Sequence, residues 1–113
     1  MKKTLLFVLV AAAAFSAEGY KVLNKIKVGG TGGWDYLAVD PATQRIYASH
    51  GGIVEVVDIK AGKVVGQITQ LHGVHGIAVA SDVGKGFISN GQSNSVTIFD
   101  LKTLEIKAIV RAD

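Results

Sequence analysis

An internal repeat with a period of about 40 residues is the feature that most constrains the fold of this chain. Three segments of the first copy return in the second with similar residue types, and they are 34–40 with 74–80, 45–51 with 85–91, and 54–60 with 96–102. The offset is the same for the first two pairs and is two residues longer for the third. We therefore expect two copies of one structural unit, with two extra residues in the turn at Gln92–Ser95.

Each copy contains four short apolar runs that are separated by turn residues. The runs are rich in Val and Ile and too short for helices, and the breaks between them are rich in Gly, Asp and Asn. No 3.6-residue period follows residue 20. The pattern predicts eight strands, which are about Tyr36–Val39, Arg45–Ser49, Ile53–Ile59 and Lys63–Thr69 in the first copy, and Gly76–Val79, Gly86–Ser89, Ser95–Leu101 and Glu105–Val110 in the second.

The third run of each copy is apolar on both of its faces. In the first copy Val54 and Val56 alternate with Val57 and Ile59, a pattern typical of a sheet that is covered on both sides. Each third run ends in an aspartate, Asp58 or Asp100, which we expect to accept backbone hydrogen bonds in the following turn. Tyr47 and Phe87, at equivalent positions of the second runs, are predicted to be core residues.

Four strands in each copy of a repeat with this period indicate a β-propeller blade. The predicted fold is therefore all-β, a β-propeller fragment with two four-stranded antiparallel blades at about residues 34–69 and 74–110. A blade of this kind cannot bury both faces alone, and propellers close a ring of about four to eight blades.

A leading segment precedes the first copy. Tyr20–Val28 alternates apolar and lysine residues, which predicts one further half-exposed strand. The glycine-rich run Gly29–Gly33 then ends it. This run does not fit a phosphate cradle, because a strand follows it where such motifs require a helix. We expect a flexible connection instead.

The amino terminus has the layout of a secretory signal peptide over Met1–Gly19. Lys2 and Lys3 precede the apolar run Leu5–Phe15 and then small residues, so cleavage is expected after Ser16 or Gly19. The run is shorter than the roughly 20 apolar residues that span a bilayer, so no stable membrane span is expected after cleavage. An uncleaved anchor is the alternative. The expected location is the periplasm or the exterior.

Two segments carry a family resemblance. The run Ile46–His50 before a strand ending at Asp58, and Phe87–Asn90 before Val96–Asp100, resemble the YVTN-type propeller repeat. The first copy departs from Tyr-Val-Thr-Asn in its last three places, and the second keeps only Asn90.

The exported chain as a whole resembles the amino-terminal part of a secreted YncE-like protein. That resemblance implies seven blades, a truncated chain, and residues 21–28 as the outermost strand of the last blade. The alternative is a short protein whose copies assemble into a ring.

The resemblance also implies that loops gather polar residues at one rim of the propeller. The candidate ligand-binding residues there are Trp34, Asp35, His50, His75 and Asn90. Imidazoles, a carboxylate and an amide could form a polar or metal site, although hydrogen bonds to neighbouring blades are the favoured explanation. His72 and His75 lack further ligands at zinc spacing, so no metal and no cofactor is predicted. No catalytic constellation is found, and with no Cys a thiol nucleophile is excluded.

These observations predict an exported, non-catalytic binding or interaction module whose rim contacts an unknown ligand or protein. Resemblance keeps two alternatives open: a fragment of a periplasmic propeller enzyme, lactonase-like or a redox subunit, and a single-stranded-DNA-binding propeller. Nucleic acid is disfavoured because the net charge of +3 is mild and spread along the chain.

Overall fold

The computed structural model describes residues 19–112, which form two four-stranded antiparallel sheets. The predicted signal peptide, apart from its last residue, lies outside the described residues. No helix among residues 19–112 is long and apolar enough to cross a membrane. The first sheet contains β1 (Trp34–Asp40), β2 (Arg45–His50), β3 (Ile53–Asp58) and β4 (Lys63–Ile68), and the second contains β5 (Val74–Ala80), β6 (Lys85–Asn90), β7 (Ser95–Asp100) and β8 (Ile106–Arg111).

The two sheets are structural copies, as the internal repeat predicts. Both follow the simple order of the chain, and Tyr47 pairs with Val56 where Phe87 pairs with Ile98. Irregularities in register also recur at equivalent places, on the first and third strands of each sheet. The two-residue insertion lies between β6 and β7, where a short 3-10 turn, Gly91–Ser93, replaces the tight turn of the first sheet.

The core lies between the sheets. Tyr47, Val54 and Val56 of the first sheet share one buried cluster with Ile88 and Phe99 of the second. The rings of Tyr47 and Phe99 are 5.6 Å apart between centroids, at a tilt of 51°. Burying each large apolar side chain contributes about 1.5–3 kcal/mol, so this cluster is the main source of stability for the pair of sheets.

The sheets stack in the same orientation, one behind the other. Tyr47 and Val56 face the second sheet, but their repeat equivalents Phe87 and Ile98 lie on its outward face and are only half-buried. The prediction that Phe87 is a core residue is therefore wrong for this pair of sheets, because no third sheet covers that face among the described residues. Such head-to-tail contacts leave one unmatched face at each end of a stack.

The predicted leading strand at Tyr20–Val28 is not formed. This segment has no strand partner among the described residues and runs as irregular, mostly exposed chain. The predicted alternation survives in its burial, since Ile26 and Val28 are half-buried while the lysines between and around them are exposed. The alternation of buried and exposed residues that is typical of a strand is thus present. A strand forms, however, only where its backbone can pair with that of another strand.

The leading segment crosses the outer face of the first sheet. Its Asn24 Nδ2 lies 3.4 Å from the Cβ position of Gly62 at one end of that sheet, and Gly30 lies against His50 at the other end. Six residues of extended chain span about 20 Å, which is close to the length of β3. Ala48 and Val57 on this face are both only 4% exposed.

Polar contacts join the two sheets at the end of the strands that lies opposite His50. Asp40 is fully buried, and its carboxylate accepts hydrogen bonds from Thr43 Oγ1 at 2.6 Å and from Ser81 Oγ at 2.7 Å. Arg45 donates from Nη1 to the carbonyl oxygen of Leu101 at 2.9 Å. Ser81 and Leu101 belong to the second repeat, so these bonds fix how the sheets dock.

Aspartates close the turns after the third strands, as predicted. Asp58 Oδ1 accepts from the backbone N–H of Ala61 at 2.7 Å. Asp100 Oδ1 accepts from the N–H groups of Lys102 and Thr103 at 2.9 and 2.8 Å. These carboxylates satisfy backbone donors that the sheet leaves unpaired.

Asp40 predicts a loss of stability in acid. Burial raises its pKa, but hydrogen bonds from Thr43, Ser81 and the backbone of Ala42 outweigh it and hold the pKa below its usual value. Its stabilisation is therefore complete above the unfolded pKa of about 3.9 and disappears as the pH falls through the lower folded value. Asp40→Asn should reduce this acid dependence and cost about 1–3 kcal/mol at pH 7.

Urea denaturation followed by circular dichroism between pH 2 and 7 measures both effects. Asp82→Asn, which changes an exposed carboxylate in a turn, is the control and should leave the curve unchanged. An Asp40→Asn variant with the wild-type acid profile would contradict the role of Asp40.

A pair of glycines tests the packing of the second sheet. Gly86 lies against the ring of buried Phe99, so a Cβ there would overlap ring atoms, and Gly86→Ala should cost about 1–3 kcal/mol. A Cβ at Gly76 would meet only Ser89 Oγ at 3.4 Å, so Gly76→Ala should be neutral or slightly stabilising. Thermal unfolding compares the two, and equal melting temperatures would show that the Phe99 ring has room to move.

Candidate functional site

An open cleft of about 570 Å³ lies where the two sheets meet, at the end opposite Asp40. Its walls come from the starts of β1 and β5, from the segments that lead into them, and from the turns that follow β2 and β6. The lining residues are Gly33, Trp34, Asp35, Gly51, Gly52, Leu71, Gly73, Val74, His75, Gly91 and Gln92. Three of the five predicted site residues, Trp34, Asp35 and His75, are in this lining.

Backbone hydrogen bonds between glycines hold the cleft open. The N–H of Gly51 donates to the carbonyl oxygen of Gly33 at 3.1 Å, and at the equivalent place Gly91 donates to Gly73 at 2.8 Å. Val74 donates across the sheets to Gly51 at 3.0 Å. Gly51 and Gly73 have φ values of 62° and 65°, which L side chains rarely adopt. The walls of the cleft are therefore formed largely by hydrogen-bonded backbone, and few side chains fill it.

Asp35 and His75 join the two sheets across the cleft. His75 Nδ1 lies 2.6 Å from Asp35 Oδ2, and an ionised carboxylate only accepts, so the imidazole is the donor. Both side chains stay accessible, with 38% of Asp35 and 60% of His75 exposed. The bond orients the ring, and a ligand in the cleft can reach both groups.

Trp34 stacks on His50 beside this pair. The two ring centroids are 3.7 Å apart and the ring planes differ by 14°. His50 is only 2% exposed, whereas Trp34 is 51% exposed. The imidazole lies against one face of the indole, and Trp34 is also one of the residues that line the cleft. The indole is thus a fixed, flat wall of the cleft.

His50 packs against Trp34 and is not itself one of the residues that line the cleft. Gly30 lies so close that a Cβ there would be 2.6 Å from Cε1 of the imidazole. Neither ring nitrogen of His50 makes a hydrogen bond with the described residues. Its contribution is therefore the stacking surface under Trp34, and the predicted glycine-rich connection, Gly29–Gly33, is the layer that covers it.

Asn90, the fifth predicted residue, lies away from the cleft. It is 3% exposed and donates from Nδ2 to Thr97 Oγ1 at 2.9 Å within its own sheet. Asn90 and His50 are repeat equivalents, and both are turned into the same face of their respective sheets. Residues two apart in a strand point to the same face, so this burial follows from their position two residues after buried Ala48 and Ile88.

Several residues of the site were not expected from the sequence. Gly33 and Gly73 are repeat equivalents, and so are Gly51 and Gly91. The recurrence of glycine at these positions of the repeat is therefore the sequence feature that indicates them. Gln92 has no such signal, because it lies in the insertion. Outside the cleft, the sequence also gave no sign that Glu55 is buried: it is 2% exposed on the outer face of the first sheet, its Oε1 accepts from Gln67 Nε2 at 2.9 Å, and its Oε2 has no partner among the described residues.

Charge in the cleft is low. Histidine aside, Asp35 is the one lining residue that carries a formal charge, and no Lys or Arg is in the lining. Within residues 19–112, no three His, Cys, Asp or Glu side chains come together as metal ligands. A second depression of about 440 Å³ lies at the opposite end of the strands and is lined by Asp40, Asp58 and Asp100, among others. These carboxylates already accept hydrogen bonds from turn residues and, for Asp40, from the second sheet's Ser81.

Comparison with known proteins adds no family to this picture. No protein-family model matches the sequence, and no curated protein is significantly similar to it.

Substitution of His50 tests its supporting role. His50→Ala removes the ring beneath Trp34 and leaves a cavity, so it should cost about 2 kcal/mol and broaden the motion of the indole. His50→Phe keeps a stacked ring and removes two buried nitrogens without partners, so stability should be unchanged or higher. Denaturant unfolding and the fluorescence anisotropy of Trp34, the only Trp in the chain, measure both. Equal destabilisation by the two variants would contradict this role.

Proposed function

We propose that this chain is part of an exported β-propeller module that binds a small ligand in the cleft lined by Trp34, Asp35 and His75. One observation carries the proposal: the hydrogen bond of 2.6 Å between Asp35 and His75 joins two successive sheets in an open cleft. Binding sites in proteins are commonly concave, preformed and equipped with few convergent polar groups.

The stacking of the sheets supports the propeller part of the proposal. Contacts of the head-to-tail type either close into a ring or extend without end. Phe87 and Ile98 on the outward face of the second sheet repeat the residue types that dock the first sheet, so they suit one more sheet. Further sheets, from a longer chain or from other copies, would complete the ring.

The leading segment supports ring closure. Residues 24–30 cross the free face of the first sheet, where a preceding sheet would stack. In a closed ring this segment would gain the strand partner that it lacks, as the resemblance to YncE-like proteins implies for the outermost strand of the last sheet. Export is inferred from Lys2, Lys3 and the apolar run Leu5–Phe15 that follows them.

A ligand screen tests the binding function. Trp34 is the only Trp in the chain and lies in the cleft, so its emission reports directly on occupancy. Titration of the purified protein with a panel of sugars, organic acids and organic cations should give at least one saturable change. Asp35→Ala should weaken that response at least tenfold, because it removes a polar group that contacts the ligand.

The matched control is Asp82→Ala, which removes an exposed carboxylate in the turn after β5, at the other end of the sheet. This variant should bind like the wild-type protein. The proposal fails if no compound changes the emission of Trp34, or if Asp35→Ala binds as well as wild type.

A further inference from the structure

We propose that the cleft selects an organic cation, with an ammonium or quaternary ammonium group held between the open face of Trp34 and the carboxylate of Asp35. This inference rests on the proposed binding function and adds the class of ligand. It follows from the shape, charge and rigidity of the residues that line the cleft.

The aromatic wall is the first reason. The ring of His50 stacks on Trp34 with 3.7 Å between the centroids, and Trp34 stays 51% exposed and is one of the residues that line the cleft. Among the aromatic side chains, Trp attracts a cation over its face most strongly, because the π-electron quadrupole is negative there. An indole that is already held in place loses little conformational entropy when a ligand stacks on it.

The charge of the lining is the second reason. Asp35 is 38% exposed and lines the same cleft as Trp34, so a cation bound there has an anionic group within the cleft. His75 bonds the carboxylate through Nδ1, and a neutral imidazole in this tautomer leaves the negative charge of Asp35 in the cleft. With no Lys or Arg in the lining, nothing there favours a phosphate or carboxylate ligand.

Rigidity is the third reason. His75 orients Asp35, His50 orients Trp34, and the hydrogen bonds of Gly33 and Gly73 fix the backbone beneath them. The cleft of about 570 Å³ leaves ample room for a methylated ammonium group. A neutral saccharide could also stack on the indole, but it would not depend on the charge of Asp35, and that difference defines the test.

The experiment titrates choline against its neutral isostere, 3,3-dimethylbutan-1-ol, with the emission of Trp34 as the readout. The buffer is at pH 8, which is above the ordinary pKa of about 6.5 of a free imidazole. Choline should give a saturable change at millimolar concentration, as expected for a small ligand at an open site. The isostere has the same shape without the charge, and it should bind at least tenfold more weakly.

Three variants locate the effect. Asp35→Asn keeps an oxygen that accepts from His75 but removes the charge, and it should weaken choline binding at least tenfold. Trp34→Leu, followed by calorimetry, should abolish measurable binding. Asp82→Asn is the control and should match wild type. Circular dichroism and melting temperature confirm that each variant is folded, which is expected because Trp34 and Asp35 lie outside the core.

The outcomes separate this inference from the function on which it rests. Equal binding of the isostere, or full choline binding by Asp35→Asn, overturns the cation site. If methyl glucoside changes the emission of Trp34 and choline does not, the cleft binds a ligand of another class, so the inference fails while the proposed function stands. If no compound in the panel binds, both fail.

Discussion

The two apolar faces of each sheet are the constraint on which the rest of the structure depends. Val56 and Val57 point to opposite sides of the first sheet, and both are buried. A four-stranded sheet cannot cover two such faces by itself, so it must be stacked between neighbours. The second sheet covers one side through Ile88 and Phe99, and the leading segment crosses the other. The docking contacts of Asp40 and Arg45 then fix the register of the stack.

Most of the strands could be predicted because local sequence contains what a strand needs to begin and end. Runs of Val and Ile between Gly, Pro and Asp gave all eight elements to within about two residues, and the turn function of Asp58 and Asp100 followed from its position. Tyr20–Val28 has the alternating pattern of a half-exposed strand, yet no strand forms. Pairing depends on an edge elsewhere in the molecule, and a pattern in one segment does not report whether that edge exists.

The site was predictable in part for a related reason. Asp35 and His75 are repeat equivalents, so stacking the copies in phase brings the start of β1 next to the start of β5. His50 and Asn90 are also equivalents, but they occupy positions where the pleat turns side chains into a face of the sheet. The stacking of Trp34 on His50 could not be read from the sequence, because it depends on the path of Gly29–Gly33 over the imidazole.

Repetition and divergence have separate roles in the cleft. Glycines at equivalent positions of both copies build its frame, and the stacking of one sheet on the next creates the space between them. The chemistry comes from positions where the copies differ: Trp34 is replaced by Val74, and Asp35 by His75. If both copies carried aspartate at the second place, two carboxylates would repel each other across the cleft. The divergence of one residue therefore converts a repulsive contact into the bond that joins the sheets.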